Sequence, residues 1–345
     1  MDVILKKLGF FVTDRCNLKC KHCFVPTNKT RSNRELSLSE IKKIAASFQA
    51  PLELLSLTGG EPFLREDLPQ IAKAFYKLNG SKEIFICTNG LMSGEIARQM
   101  SKIVDDCACP ILVQVSIDGF APTHDSIRSV PGSFSAALET VSLMKELQRQ
   151  STNLGVAVLT VVHEGNIDEM EELSEYLAKE IGVEQHLMIM RQIPGTIWGL
   201  NEETIADLKP TKLKLPPIKK LEKMDRYFRK KGKYRDRSHL FKRLTYQIKM
   251  LKTGKPIFSS CSAGQDQGIL YADGAVALCE FTRPVGNVRD HDLCFPKVWR
   301  SKAAEEMRRR ITKCYCIHDC FFIDNLKRYL EVQSKSGRSG RGGDK

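Results

Sequence analysis

The feature that most limits the fold of this chain is an alternation running through its first 200 residues. Short apolar, β-prone runs take turns with longer stretches of helical periodicity. The runs are LGFFVT (8–13), LELLSL (52–57), EIFICT (83–88), ILVQVSID (111–118), NLGVAVLTVV (153–162) and QHLMIMRQ (185–192). Between them lie LSLSEIKKIAASF (36–48), EDLPQIAKAFYKL (66–78), GEIARQMSKIVDD (94–106), SFSAALETVSLMKELQRQ (133–150) and NIDEMEELSEYLAKEI (166–181). Ser37 with Glu40 three residues on is a capping-box pattern, and Asp67 and Asn166 are candidate caps of their helices. Strands that alternate with helices are joined by crossovers, so the sheet is parallel with helices on its faces. Six such units are too few for a closed eight-stranded barrel. The expected fold class is therefore α/β, a partial (β/α)6 TIM-like barrel, with chemistry at the C-terminal ends of its strands.

No run of 18 apolar residues exists, so no helix is expected to span a membrane. The opening MDVILKKLGFFVTDRC has no small-residue cleavage site and reads as a first strand, not a secretion signal. The expected location is the cytoplasm. In that reducing setting, clustered thiols among the twelve cysteines are metal ligands or catalytic groups before they are disulfides. The isolated Cys87, Cys107, Cys109 and Cys294 read as small buried hydrophobes.

The net charge of +13 is concentrated in one segment. Residues 209–255 hold 18 lysines and arginines against Glu222, Asp225 and Asp236, which leaves the rest of the chain at −2. From about 218 to 252 this segment has helical composition, with Tyr227, Phe228, Tyr234, Phe241 and Tyr246 interleaved. The reading adopted is a solvated bridging helix whose aromatics pack inward. Its alternatives are RNA binding through phosphates and stacking, or reception of an acidic peptide or phosphorylated substrate. The ending KSGRSGRGGDK has no apolar residue and is expected to be disordered. The expected division is a barrel over 1–200, a basic helical linker over 201–255, a cysteine-rich module over 256–330 and a disordered tail over 331–345.

Directly after the first strand the chain reads CNLKCKHC, which puts Cys16, Cys20 and Cys23 on a loop at the barrel's chemical face. Iron–sulfur clusters commonly take four thiolates, and closed zinc sites take four ligands. Three thiols leave one metal position open. The alternatives are a zinc site completed by His22 or a distant residue, or three unliganded thiols. TGGEP (58–62) follows the second strand: its glycines allow close backbone approach, and Glu61 offers a carboxylate to an ammonium group. Read alone, it is a turn before a helix. TNG (88–90) follows the third strand, VSIDG with Ser116 and Asp118 the fourth, and HDSIR brings Arg128.

In this order and at these strand ends, the motifs resemble the signature of the radical S-adenosylmethionine (radical SAM) superfamily. That family's C-x3-C-x2-C carries an aromatic residue before or near the last cysteine; here His22 precedes Cys23 and Phe24 follows it. The resemblance covers about residues 8–195. It implies a [4Fe–4S] cluster on Cys16, Cys20 and Cys23, whose open iron chelates S-adenosylmethionine. By the same resemblance Gly59, Gly60, Glu61 and Pro62 meet the cofactor's amino group, and Thr88 and Asn89 are further contacts. Ser116 and Asp118 would lie near the ribose, with Arg128 as a charged fork for the methionine carboxylate. Arg191 is a weaker candidate for a cofactor contact, and the alternative role of Asn166 is to cap its helix. The resemblance also implies one-electron cleavage of the cofactor to a 5′-deoxyadenosyl radical that takes a hydrogen atom from a substrate. A donor such as flavodoxin or ferredoxin would supply the electron.

A second thiol group follows. Cys261 and Cys279 flank GILYADGAVAL, which reads as a hairpin that brings its ends together. KCYCIHDC adds Cys314, Cys316 and Cys320, the last two on one face if this turn is helical. The pattern resembles the twitch module, the shortened form of the SPASM domain, and implies one auxiliary [4Fe–4S] cluster; which of the last three thiols ligate it stays open, and a zinc ribbon is the alternative. The expected function is a radical SAM enzyme acting on a peptide, a protein or a small molecule. No peptide-recognition domain precedes Leu8, which leans towards a small molecule or a separately recruited peptide. The alternatives are an RNA-modifying radical SAM enzyme and a non-catalytic iron–sulfur or zinc binding protein.

Overall fold

The computed structural model describes residues 3–25, 34–193, 195–208, 211–231, 238–258 and 261–339. The six expected strands form as β1 (Lys7–Thr13), β2 (Leu54–Gly59), β3 (Ile84–Thr88), β4 (Ile111–Ser116), β5 (Leu154–Val162) and β6 (Glu184–Ile189). Each pairs in parallel with its sequence neighbour. Successive side chains on a strand point to opposite faces, and this period divides the barrel. Leu8, Phe10 and Val12 of β1, Leu55 and Leu57 of β2, and Ile84 and Ile86 of β3 enter the core beneath the helices. Their neighbours Gly9, Phe11, Ser56, Thr58, Phe85 and Cys87 face the barrel interior and line a cavity.

The outer layer is α1 (Leu38–Ser47), α2 (Leu68–Ala74), α3 (Ser93–Asp106), α4 (Ala121–Arg128), α5 (Ser133–Arg149) and α6 (Met170–Tyr176). The capping box at α1 forms as expected, with Glu40 N donating to Ser37 Oγ at 3.3 Å and Ser37 N to Glu40 Oε2 at 2.8 Å. Asp67 does not cap α2. It pairs with the buried guanidinium of Arg65 at 2.8 Å, which needs a counter-charge more than the helix needs a cap. Asn166 stands before its helix but does not cap it either.

The remaining chain forms β7 (Ile197–Trp198), α7 (Ile218–Lys230), α8 (Ser238–Thr253), β8 (Gln267–Leu270), β9 (Ala275–Ala277), β10 (Gly286–Asn287), α9 (Phe295–Trp299), α10 (Lys302–Arg310), β11 (Tyr315–Cys316) and α11 (Asp319–Ser339). The expected hairpin is β8–β9, and it is continuous with the barrel. β8 pairs in parallel with β1, Lys7 opposite Gln267, giving a nine-stranded sheet in the order β10-β9-β8-β1-β2-β3-β4-β5-β6. β1 would otherwise present an open edge.

The basic segment forms two helices rather than one. α7 buries Leu221, Met224 and Phe228, and its cations and the capping Lys231 meet acids of α6 and the turn before it: Lys220 lies 2.5 Å from Asp168, Lys223 3.8 Å from Glu171 and Lys231 2.8 Å from Glu175. Tyr227 and Tyr246 also pack on this core, as expected of inward-facing aromatics. Tyr234 and the side chain of Phe241 lie outside the described residues. The tail expectation needs correction: α11 runs to Ser339, so residues 331–339 are helical. Once a helix is nucleated by packed turns, here Phe321, Phe322 and Leu326, each further residue adds a hydrogen bond. Residues 340–345 lie outside the described residues. Among the described residues no helix is long and apolar enough to cross a membrane.

Candidate active site

The cavity inside the sheet measures about 590 Å³ and runs from the strand starts, at Lys7 and His186, to the strand ends, at Gly59, Thr88 and Ser116. At the latter end the loop after β1 closes over it. Cys23 N donates to Cys20 O at 3.2 Å, and Lys21 N to Ile127 O at 2.9 Å, which ties the loop to α4. Cys16, Cys20 and Cys23 all line the wall. The end of β2 wraps tightly against this loop. Gly60 N donates to Thr13 O and Glu61 N to Arg15 O, each at 2.8 Å. A Cβ at Gly59 would stand 2.1 Å from Thr13 O, and one at Gly60 2.0 Å from Arg15 O. The close approach that these glycines allow is thus to the cysteine loop.

Glu61 is 1% exposed and accepts from Thr88 Oγ1 at 2.9 Å, Asn89 N at 2.8 Å and Phe63 N at 3.3 Å. Burial pushes its carboxyl up to about 7 despite these three hydrogen bonds, which favour the charge. Asn89 also donates to Asn17 Oδ1 at 2.7 Å, linking TNG to the cysteine loop. Pro62 opens a short 3-10 turn and does not line the cavity.

Arg128 lines the cavity with its back to Asp118. Its Nε donates to Asp118 Oδ2 at 2.8 Å, and its Nη1 reaches Cys20 Sγ at 3.7 Å. The carboxylate is fully buried and its other oxygen accepts from Val161 N at 3.0 Å. Asp118 therefore stands behind the wall, while Ser116 lines it. Asn166 completes this backing by donating to Asp118 O at 2.7 Å and Val161 O at 2.9 Å, so its amide is spent on the β4–β5 ends instead of a cap. Burial lowers His22, 3.9 Å from Asp118, to about 4, which keeps its ring neutral at pH 7. Burial also raises Cys16 to about 11 and raises Cys20, against which Arg128 acts.

The second thiol group gathers from the loop before β8, the turn after β9, β11 with the residue before it, and α11. Cys279 interacts electrostatically with Cys320, Cys316 and Cys261, and Cys316 with Cys261, Cys320 and Cys314. Cys314 lies at the margin, next to Cys261 and Cys316. Cys316 belongs to β11, paired with Ile197 of β7, and Cys320 opens α11, so the helical turn expected to carry both does not form. Ala263 N and Asn325 Nδ2 each approach Cys261 Sγ at 3.5 Å. Among the described residues no three His, Cys, Asp or Glu side chains converge on a single-ion site. A four-iron cluster takes its thiolates on different irons and asks for a ring of thiols instead.

Between the two groups stands Arg191, just past β6. Its guanidinium lies 2.5 Å from Glu280 and 4.6 Å over the ring of Phe24, which stacks on Phe281 at 5.4 Å. Phe281 in turn lies 4.4 Å from His318. Burial opposes the charge of Arg191, but Glu280, with Cys320, Asp319 and Cys279 behind it, holds its pKa above the usual value. Sequence reading missed this pairing because Glu280 is 89 residues away. It also missed Cys87, which lines the cavity with its thiol pushed up to about 12 by burial. Cys107 and Cys109 are buried as expected, and Cys294 is half-buried.

The family model described as "Radical SAM superfamily" matches residues 10–177, and one described as "Iron-sulfur cluster-binding domain" matches residues 261–321. Among curated proteins, the Fe-coproporphyrin III synthase of Methanosarcina barkeri is 33% identical over 172 residues, 49% of this chain and 40% of that one. The matched stretch spans less than two thirds of the length of the first such relatives. GTP 3′,8-cyclase 3 of Mycobacterium bovis is 26% identical over 349 residues, 96% of this chain and 88% of that one. Among solved structures, Streptococcus suis SuiB bound to S-adenosylmethionine superposes with a TM-score of 0.62 at 15% identity, over 89% of this chain and 68% of that one.

Proposed function

Since the chain belongs to the radical SAM superfamily, as an enzyme with an iron–sulfur cluster-binding domain behind its partial barrel, we propose that it cleaves S-adenosylmethionine reductively and uses the product to abstract a hydrogen atom from a peptide or small-molecule substrate. Membership brings a [4Fe–4S] cluster and S-adenosylmethionine, and the second domain brings auxiliary iron–sulfur ligation. The observation that carries the reading is the meeting of three soft thiols, Glu61 and Arg128 on one cavity wall at the strand ends.

The residues suit these groups. Cys16, Cys20 and Cys23 would hold the first cluster, leaving one iron without a protein ligand. Glu61 would receive the cofactor's amino group and Arg128 its carboxylate, with Asp118 holding the guanidinium in place rather than touching the ribose. Thr88 and Asn89 hold the Glu61 carboxylate in place, and Ser116 on the same wall would lie near the cofactor's ribose. Cys261, Cys279, Cys316 and Cys320 would hold the auxiliary cluster, with Cys314 as an alternative ligand. When bound, the first cluster would supply the electron for reductive cleavage of the cofactor's sulfonium carbon–sulfur bond. The chain's own part is to orient the cofactor and to exclude water around the reacting carbon.

RNA modification is less favoured, because Lys220, Lys223 and Lys231 of the basic segment already meet acids of the barrel. The test is formation of 5′-deoxyadenosine from S-adenosylmethionine and dithionite by anaerobically reconstituted protein. Replacing Cys16, Cys20 and Cys23 together with Ala should abolish it; a triple variant that still forms it would overturn the assignment.

A further inference from the structure

We propose that Arg191 and Glu280 form a charge pair that sets the reduction potential of the auxiliary cluster and locks its loop to the loop of the first. This rests on the reading that Cys279 and Cys320 hold that cluster. The pair is half-enclosed in the cavity wall, with side chains 15% and 12% exposed, at an Nη1–Oε2 distance of 2.5 Å. Glu280 follows Cys279 directly in sequence, and Arg191 interacts electrostatically with both Cys279 and Cys320. On its other side the same guanidinium lies over Phe24, the residue after Cys23, and 5.8 Å from Phe281, two residues after Cys279. No other described cation is stacked between the two thiol groups in this way.

Cluster potentials depend on local net charge, hydrogen bonding and burial. A guanidinium beside two ligand thiolates favours the more negative, reduced cluster and raises its potential. A carboxylate in the same place lowers it. As a pair the two nearly cancel, so each single loss should move the potential in an opposite direction. Packing alone has no reason to produce that sign change. In this role Arg191 and Glu280 are positioning residues that act through the cluster.

The experiment is a potentiometric titration followed by electron paramagnetic resonance, on full-length protein whose iron and sulfide content first establishes that both clusters are present. Arg191→Gln should lower the auxiliary midpoint, changing the reduced-to-oxidised ratio at a fixed poise by roughly tenfold, or 59 mV for a one-electron couple. Glu280→Gln should raise it. The double variant should return close to the wild type, and Arg191→Lys should keep the potential because it keeps the charge. If both single variants leave the midpoint unmoved with iron content intact, or move it in the same direction, the inference fails. If wild-type protein holds only one cluster, the reading beneath it fails instead. Should Arg191→Gln not assemble, Glu280→Gln and Arg191→Lys still decide the sign.

Discussion

Glu61 is the residue whose burial leads most directly to a measurable effect. Its carboxyl is raised to about 7, so between 4.5 and about 7 the folded chain keeps a proton that the unfolded chain has shed. This group therefore makes the fold less stable as pH rises through that window, and the loss is complete above it. Binding has the opposite slope, because only the carboxylate can receive an ammonium. Affinity for S-adenosylmethionine should rise about tenfold from pH 6 to pH 8, following the ionised fraction, and calorimetry would record it. In Glu61→Gln this dependence should vanish along with most of the affinity; a wild-type profile retained in that variant would contradict the role. Asp118 acts one step back. Asp118→Asn keeps the shape but removes the charge that anchors Arg128 at 2.8 Å. The KM for S-adenosylmethionine should rise by roughly tenfold or more, while kcat changes little. Glu61 lies just after β2, and Arg128 ends α4, the helix after β4, so the sequence placed both near the cavity mouth. Nothing local reveals that the Asp118 oxygens are engaged by Arg128 and by Val161 N, residues brought in from two other elements.

Among elements, the contact of the β2 end with the cysteine loop is the tightest at the site. A methyl at Gly60 would stand 2.0 Å from a backbone oxygen that cannot swing aside. Gly60→Ala should therefore displace the loop, costing about 1–3 kcal/mol of stability and loosening the first cluster. A thermal melt read beside iron content checks this, and unchanged values for both would contradict the packing argument. Strand positions were readable because parallel, doubly covered strands are apolar runs and their helices show a different period. The β8–β1 pairing was not, since two strands about 260 residues apart carry no shared local signal. The turn between Cys316 and Cys320 escaped for a similar reason: β7 claims Cys316 for a two-residue strand, and only the fold brings Ile197 opposite.

Over the whole molecule, the C-terminal part is joined to the barrel by the shared sheet and by three ion pairs on the cavity wall. Lys7 meets Asp324 at 2.7 Å, Arg191 meets Glu280 at 2.5 Å and Arg243 meets Asp319 at 3.0 Å. In each the barrel or helical linker supplies the base, and the C-terminal part the acid. Gly268 of β8 also presses on Trp299, where a Cβ would stand 2.5 Å from the indole. A chain ended after Gly254 would expose the β1 edge and leave three bases unpaired, so it should aggregate or be cut rapidly by protease. A stable, monomeric truncated barrel would contradict this joining. The basic linker was readable as inward-packed but not as two helices, the first of which meets acids of α6 and the turn before it, because charge composition says nothing about which surface is opposite.

The central claim is that the loop after β1 holds a cluster with one iron open to S-adenosylmethionine. It is tested most directly by electron paramagnetic resonance on anaerobically reconstituted, reduced protein whose auxiliary thiols Cys261, Cys279, Cys316 and Cys320 have been replaced with Ala. A single reduced four-iron signal should remain, and its g values should shift when S-adenosylmethionine is added. A signal indifferent to the added compound, or no cluster on Cys16, Cys20 and Cys23 at all, would contradict the account.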